Sequence, residues 1–337
     1  MAKSLFSIII FLTCQRGAQV AKSSSKNMNV PRIAIVGAGA MGSVYAGLFA
    51  EAGYQISVVD LWQEHITAIG KTGLHLEGAS GDRVIGGITA VHQIADLGSI
   101  DLYVIATKAN GVGEAAAEIA KAMQPDSLVL TIQNGLGAGD RIAQYMPTDN
   151  VLLGVAEGFG ASIKGPGRIH HNAMRQIRIG EMGGGMTDRL VWIESLWQAA
   201  GFKATAFADI HQLVWEKFIC NVMCSAPSVA FDCTIGELFS DEDRRIVALG
   251  CMLEAYEIGL AKNIAFSFDD AVAYGVKFAA DMPHASPSMR LDHLAGKRSE
   301  IDAINGMVPV LGREMGINTP YNDTLVALVR AREASFA

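Results

Sequence analysis

The sequence predicts an α/β fold, a doubly wound parallel sheet in its N-terminal part followed by an all-helical domain. Three observations lead there. Aliphatic, strand-like runs alternate with amphipathic helical ones from Pro31 to Gln133, the pattern of successive βαβ units. From about Asp209 onward apolar residues recur almost solely at helical spacing, as expected of a helical domain. The chain has 337 residues, 50% of them hydrophobic, more than a single core usually holds. The expected divisions are an extension over residues 1–27, a sheet domain over 28–208 and a helical domain over 209–337.

The stretch "PRIAIVGAGAMGSVYAGLFAEAGYQISVVD", Pro31 to Asp60, reads as strand, glycine turn, helix and strand. A helix near Gln63 to Lys71 follows, then extended "GLHLEG" and "RVIGGITA", the strand "DLYVIAT", a helix from Gly113 to Met123 and the strand "SLVLTIQ". Beyond Gly154 come Gly-rich extended pieces including "GRIHHNAMRQIRIG", the helix "TDRLVWIESLWQAAG" and a last strand "FKATAF". Helices are expected over Ile210 to Cys224, Asp241 to Asn263, Phe268 to Ala280, Ser299 to Met315 and Asp323 to Glu333, separated by Pro and Gly breaks.

Charge and cysteine usage narrow the function. Net charge is −7, from 27 Lys+Arg against 34 Asp+Glu, and no basic run with interleaved aromatics is present to track a phosphate backbone, so nucleic acid is not an expected partner. Five cysteines, Cys14, Cys220, Cys224, Cys233 and Cys251, form no CxxC pair and are odd in number, which points to reduced thiols and a cytoplasmic setting. The opening "MAKSLFSIIIFLTC" has a lysine and an apolar run too short to span a membrane, with no A-x-A-like cleavage site close behind. Residues 1–27 therefore read as a disordered or mis-assigned extension, and no membrane association is expected.

Four motifs carry the chemistry. The first is Gly37-Ala38-Gly39-Ala40-Met41-Gly42, which follows a strand and opens a helix. This context fits a Rossmann-type dinucleotide loop, with a tight turn at Gly37, close approach of a pyrophosphate at Gly39 and close helix packing at Gly42. Asp60 ends the second strand where an acid would bond the adenosine ribose hydroxyls. Its carboxylate repels a 2'-phosphate and its neighbours Leu61 and Trp62 bring no positive charge, which argues for NADH over NADPH. Lys71 and Arg83 are the cations that could reach in.

The second motif is "TIQNGLG", with Gln133, Asn134 and Gly135 at the C-terminal end of an expected strand, where ligand crevices open in doubly wound sheets. Asn134 offers an amide to the nicotinamide ribose or to a substrate, or is simply part of an Asn-Gly turn. "ATKAN" ends the preceding strand similarly, making Lys108 a cofactor candidate or an exposed loop lysine. The third motif is "VWEKFICN", in which Lys217 and Asn221 share a helix face near the hinge. The fourth, "SPSMRLDHLAGKRSEIDAING", carries Ser288, Asp292 and Glu300, with Ser299 as expected N-cap and Glu300 in the first turn of its helix.

Together with Asn305-Gly306 and "GINTPYN", these motifs in this order resemble the ketopantoate reductase (2-dehydropantoate 2-reductase) family over nearly the whole chain from Met28. The resemblance implies NAD(P)H-dependent reduction of the keto group of a small 2-oxo acid, 2-dehydropantoate to pantoate, as in pantothenate biosynthesis. It implies Lys217 as general acid and Glu300 as the residue that binds and orients the substrate beside it. Asn134, Asn221, Ser288 and Asp292 are then substrate-binding candidates, and Gly37 to Gly42, Asp60, Lys108 and Asn134 cofactor-binding ones. Family members commonly use NADPH, whereas Asp60 argues for NADH. A charged lysine can stabilise the oxyanion formed by hydride attack and also protonate it; an apolar cleft would lower its pKa and Glu300 would counter that shift.

The chain departs from the family pattern in three places: Ser225-Ala226-Pro227 stands where Asn-Pro is frequent, Ile235 in "TIGEL" replaces a common asparagine, and "VVDLWQEH" stands where NADPH-using members place an arginine after the second strand. An alternative is therefore a sister NAD-dependent 2-hydroxy acid dehydrogenase with a mandelate-like substrate. A second alternative, a dinucleotide sensor without chemistry, needs only the glycine loop. The histidines His65, His75, His92, His170, His171, His211, His284 and His293 form no ligand-spaced pair, so no metal is expected; no G-x-S-x-G elbow supports a serine nucleophile. The apolar helical domain leaves room for a homodimer.

Overall fold

The computed structural model describes residues 30–336; the extension expected over residues 1–27 lies outside them. In chain order the elements are β1 (Arg32–Val36), α1 (Ala40–Glu51), β2 (Gln55–Val59), α2 (Gln63–Thr72), β3 (Leu74–Gly78), β4 (Arg83–Ile85), β5 (Thr89–Val91), β6 (Leu102–Ile105), α3 (Val112–Ala122), β7 (Leu128–Thr131), α4 (Ala138–Ala143) and β8 (Val151–Glu157). They continue with β9 (Gly160–Gly165), β10 (Arg168–Ala173), β11 (Gln176–Glu181), α5 (Asp188–Ala199) and β12 (Ala204–Ala206). Helices alone follow: α6 (Ile210–Ala230), α7 (Ile235–Ser240), α8 (Glu242–Ala261), α9 (Ala271–Asp281), α10 (Ser288–Leu294), α11 (Met307–Met315) and α12 (Pro320–Glu333).

Eight strands form one sheet in the order β12-β11-β8-β7-β6-β1-β2-β5. Neighbours run parallel except β8 and β11, which pair antiparallel. Strands β6 and β7 are buried along their whole length, as an apolar strand with both faces covered must be. The two-residue strand period sorts side chains between two cores. Ile33, Ile35, Leu102 and Val104 point toward α1 and α5, whereas Ala34, Val36, Tyr103 and Ile105 point toward α3 and α4. The order reverses between β1 and β6, which places the crevice at the C-terminal ends of those two strands.

Three features differ from the sequence expectation. The segments "GLHLEG", "RVI" and "GRIHHNA" do not extend the main sheet; with β9 they form a second, four-stranded sheet, β4-β3-β10-β9. Its apolar residues Leu74, Leu76, Ile85 and Ile169 share the core of α1. The first central helix, α6, runs past Cys224 to Ala230, with Pro227 inside it. Most of its surface is buried, and its only Asp, Glu, Lys or Arg residues are Glu216 and Lys217; such all-round burial marks a core helix.

The third difference bears on the site. The helix expected from Ser299 begins only at Met307, and Glu300 to Gly306 form turns. Ser299 does not cap a helix: its N–H and hydroxyl both donate to Glu333 Oε1, at 2.8 and 2.6 Å. Tertiary bonds account for the irregular backbone. Ala303 O accepts the Leu136 N–H at 3.0 Å, and the wholly buried Asn305 amide accepts from Ala226 N and donates to Val222 O and Asn322 Oδ1. Val222 O and Ala226 N are an i, i+4 pair of α6, so Asn305 anchors the segment to that helix just before Pro227, which has no N–H to give. No helix among the described residues is long and apolar enough to cross a membrane.

Candidate active site

The glycine loop lies between the end of β1 and the start of α1. Gly37 has φ +99° and lies against the Ala106–Thr107 backbone after β6, while a Cβ on Gly42 would stand 1.9 Å from Gly37 O. Around Gly39 there is open space, and α1 starts there with no side chain capping its N-terminus. Free N–H groups beside open space suit an anion. The Thr107 hydroxyl, buried just after β6 and beside Gly111, has no hydrogen-bond partner among the described residues, so the end of β6 carries an unused polar group. These observations fit a dinucleotide. Asp60 follows β2 and accepts the Trp62 N–H at 2.9 Å; Arg83, one of the cations that could have reached it, is held by Glu51 and by Ser80 O.

Opposite the sheet edge stands α6. Lys217, half-buried, donates from Nζ to Ala156 O at 2.7 Å, so its ammonium reaches the C-terminal end of β8. Burial lowers its pKa to about 8, against the charges of Glu157 and then Glu300, which raise it. Asn221 lies one turn further along α6, and neither it nor Asn134 nor Ser288 makes a side-chain hydrogen bond among the described residues. Their polar groups are therefore available to a ligand.

The segment from α10 to Gly306 closes the site from the helical side. Glu300 Oε1 accepts the Ala109 N–H at 2.9 Å, just beyond β6. Lys108 pairs with Asp292 at 2.8 Å, so a cofactor candidate and a substrate candidate meet across the crevice. Gly135, with φ +81°, lets the Gln133–Leu136 loop dock on this segment: a Cβ there would meet Ala303 O at 2.1 Å. Gln133 itself faces inward, donating to Ile105 O at 2.7 Å and accepting from the Thr131 hydroxyl, and so holds the loop.

Comparison with known proteins decides the family. Residues 33–184 match the family model described as ketopantoate reductase PanE/ApbA, and residues 209–333 match the model of its C-terminal part. The chain belongs to the ketopantoate reductase family. A 2-dehydropantoate 2-reductase of Streptococcus pyogenes serotype M18 is 31% identical over 301 residues, 89% of this chain and 97% of the relative; one from Halobacterium salinarum is 26% identical over 299 residues, 89% of this chain and 98% of the relative. Among solved structures, a PanE/ApbA family ketopantoate reductase from Ralstonia eutropha JMP134 aligns with a TM-score of 0.82 at 29% identity, covering 90% of this chain and 98% of the other. A ternary structure of D-mandelate dehydrogenase with NADH and anilino(oxo)acetate aligns with a TM-score of 0.82 at 25% identity, covering 90% and 99%.

As a ketopantoate reductase family member the chain is an NAD(P)-dependent oxidoreductase acting on a CH–OH group, with a small 2-oxo acid as substrate class. Sequence reasoning missed two charged groups of this site. Glu157, at the end of β8, acts on Lys217 more strongly than Glu300 does and has Arg178 at 3.7 Å. Arg141 of α4 donates to Leu136 O at 3.0 Å and leaves its buried Nε unpartnered; burial lowers its pKa against the charges of Asp140 and Glu300. Only the tertiary fold brings these groups to the crevice. The fold also gathers His75, Glu77 and Asp82 within 4.8 Å, where His75 bonds Asp82 at 2.6 Å and His170 bonds Glu77 at 3.2 Å.

Proposed function

We propose that the chain reduces the keto group of 2-dehydropantoate to give pantoate, a step of pantothenate biosynthesis, with Lys217 as general acid. The observation that carries this reading is the Lys217 ammonium, held at the C-terminal edge of the sheet on Ala156 O and in the field of Glu157 and Glu300. Gly37 to Gly42, Asp60, the Thr107 hydroxyl and Lys108 are the groups that would hold the dinucleotide. When bound, NAD(P)H supplies the hydride that attacks the keto carbon.

Lys217 has three N–H donors. One is on Ala156 O, which leaves two for the keto oxygen, where negative charge develops and a proton must arrive. Glu300, fixed by the Ala109 N–H, orients the substrate beside the ammonium. The free side chains of Asn134, Asn221 and Ser288 bond the acid's carboxylate or hydroxyl, and Asp292 lies at their edge, held by Lys108. NADH is the preferred cofactor, because the Asp60 carboxylate opposes a 2'-phosphate and Arg83 is engaged elsewhere.

A second reading, oxidation or reduction of a mandelate-like acid with NAD, rests on Ile235. This residue is 4% exposed and gives no amide where the family often has one; the aligned mandelate dehydrogenase holds NADH. A substrate panel at fixed cofactor separates the two. Turnover of ketopantoate supports the first reading, and turnover of phenylglyoxylate without ketopantoate supports the second.

A further inference from the structure

Behind the glycine loop lies a buried polar chain in an otherwise apolar core. Ser43 of α1 and His65 of α2 are both fully buried. The Gly167 N–H, in the turn between β9 and β10, donates to His65 Nδ1 at 3.0 Å. That bond leaves the ring proton on Nε2, which lies 3.1 Å from Ser43 Oγ and so donates to it. Ser43 Oγ in turn donates to Ala38 O at 2.8 Å. Each group has one role in the chain, and its direction is fixed from the small sheet to the glycine loop. Trp62, two residues after Asp60, stacks on the His65 ring at 4.7 Å between centroids, which fixes the ring plane.

We propose that Ser43 and His65 are positioning residues for the dinucleotide, acting through the Ala38–Gly39 peptide. In a trans peptide the C=O and the following N–H point in opposite directions. Drawing Ala38 O inward to Ser43 therefore turns the Gly39 N–H to the opposite side, away from the core, next to a Gly39 Cα with open space around it, where an anionic pyrophosphate would gain from it. Without the serine hydroxyl, Ala38 O loses its close donor and His65 Nε2–H its close acceptor, only a weaker contact between ring and carbonyl remains, and the peptide is less firmly held. Through Gly167 the small sheet, which contributes no residue to the crevice among the candidates, takes part in setting cofactor affinity. This inference rests on the reading of Gly37 to Gly42 as the dinucleotide loop.

The test is fluorescence titration of NADH, and of NADPH, into wild type, Ser43→Ala and His65→Gln, with thermal melting of each and KM for the 2-oxo acid at saturating cofactor. The expected result is a rise in nucleotide Kd of roughly five- to tenfold for Ser43→Ala, the size of one buried hydrogen bond. His65→Gln, which keeps a donor and an acceptor, should lose less, and KM for the 2-oxo acid should stay within about twofold. A folded Ser43→Ala protein with unchanged nucleotide Kd overturns the proposal. So does an equal weakening of nucleotide and 2-oxo acid, which marks general loosening. Wild type that binds neither nucleotide removes the dinucleotide reading itself, and this inference with it.

Discussion

Lys217 is a lysine in a helix whose surface is almost wholly buried, and its pKa is pulled down to about 8 by that burial. A general acid must carry its proton, so reduction is expected to be constant in rate below that value and to fall about tenfold per pH unit above it, read as kcat/KM against pH. Glu157 and Glu300 both raise the lysine's pKa, Glu157 the more. Glu157→Gln should move the alkaline limb to lower pH, and by more than Glu300→Gln does. A limb that stays in place in both variants would mean that another group titrates. At Asp60, replacement by Ser should raise kcat/KM with NADPH relative to NADH, since it removes the carboxylate that opposes a 2'-phosphate; an unchanged cofactor ratio would move that selectivity elsewhere.

At the scale of elements, the site depends on how α6 and the Glu300–Gly306 segment are tied. Asn305 holds three groups, Ala226 N, Val222 O and Asn322 Oδ1, and Asn322 bonds the buried Glu254 at 2.7 Å. Asn305→Ala should cost about 2–4 kcal/mol in urea unfolding, because it removes three hydrogen bonds from a wholly buried site and leaves Asn322 Oδ1 without its donor; a cost near zero would show that water replaces the amide. Gly135→Ala should separate the Gln133–Leu136 loop from Ala303 and lower both stability and kcat/KM, as its Cβ has no space and its φ is positive. The same segment shows where sequence reasoning fails. Ser299 looks like an N-cap with Glu300 in the first turn, but bonds to Glu333, Leu136 and α6 from distant parts of the chain override that local signal. Local signals hold where their physics is local, as in the glycine loop, the alternating strands and a charge inside an apolar helix. The small sheet was not legible for the opposite reason: β3 pairs with β10 across roughly ninety intervening residues, and its strand pattern does not say which sheet it joins.

Over the whole molecule, a parallel sheet delivers the glycine loop, Asp60 and the ends of β6, β7 and β8 to one edge. A core helix and an irregular segment set Lys217, Asn221 and Glu300 against that edge. Lys108 and Asp292 join the two sides at 2.8 Å. The pairing is half-exposed on the lysine side, so its contribution to stability is small. The most direct measurement is the initial rate of ketopantoate reduction, followed at the nicotinamide absorbance with NADH and with NADPH, for wild type and Lys217→Ala. The expected result is a substantial wild-type rate, greater with NADH, that falls roughly 10²- to 10⁴-fold in the variant. A wild-type rate that survives the loss of Lys217, or no wild-type rate with either cofactor, would contradict the assignment.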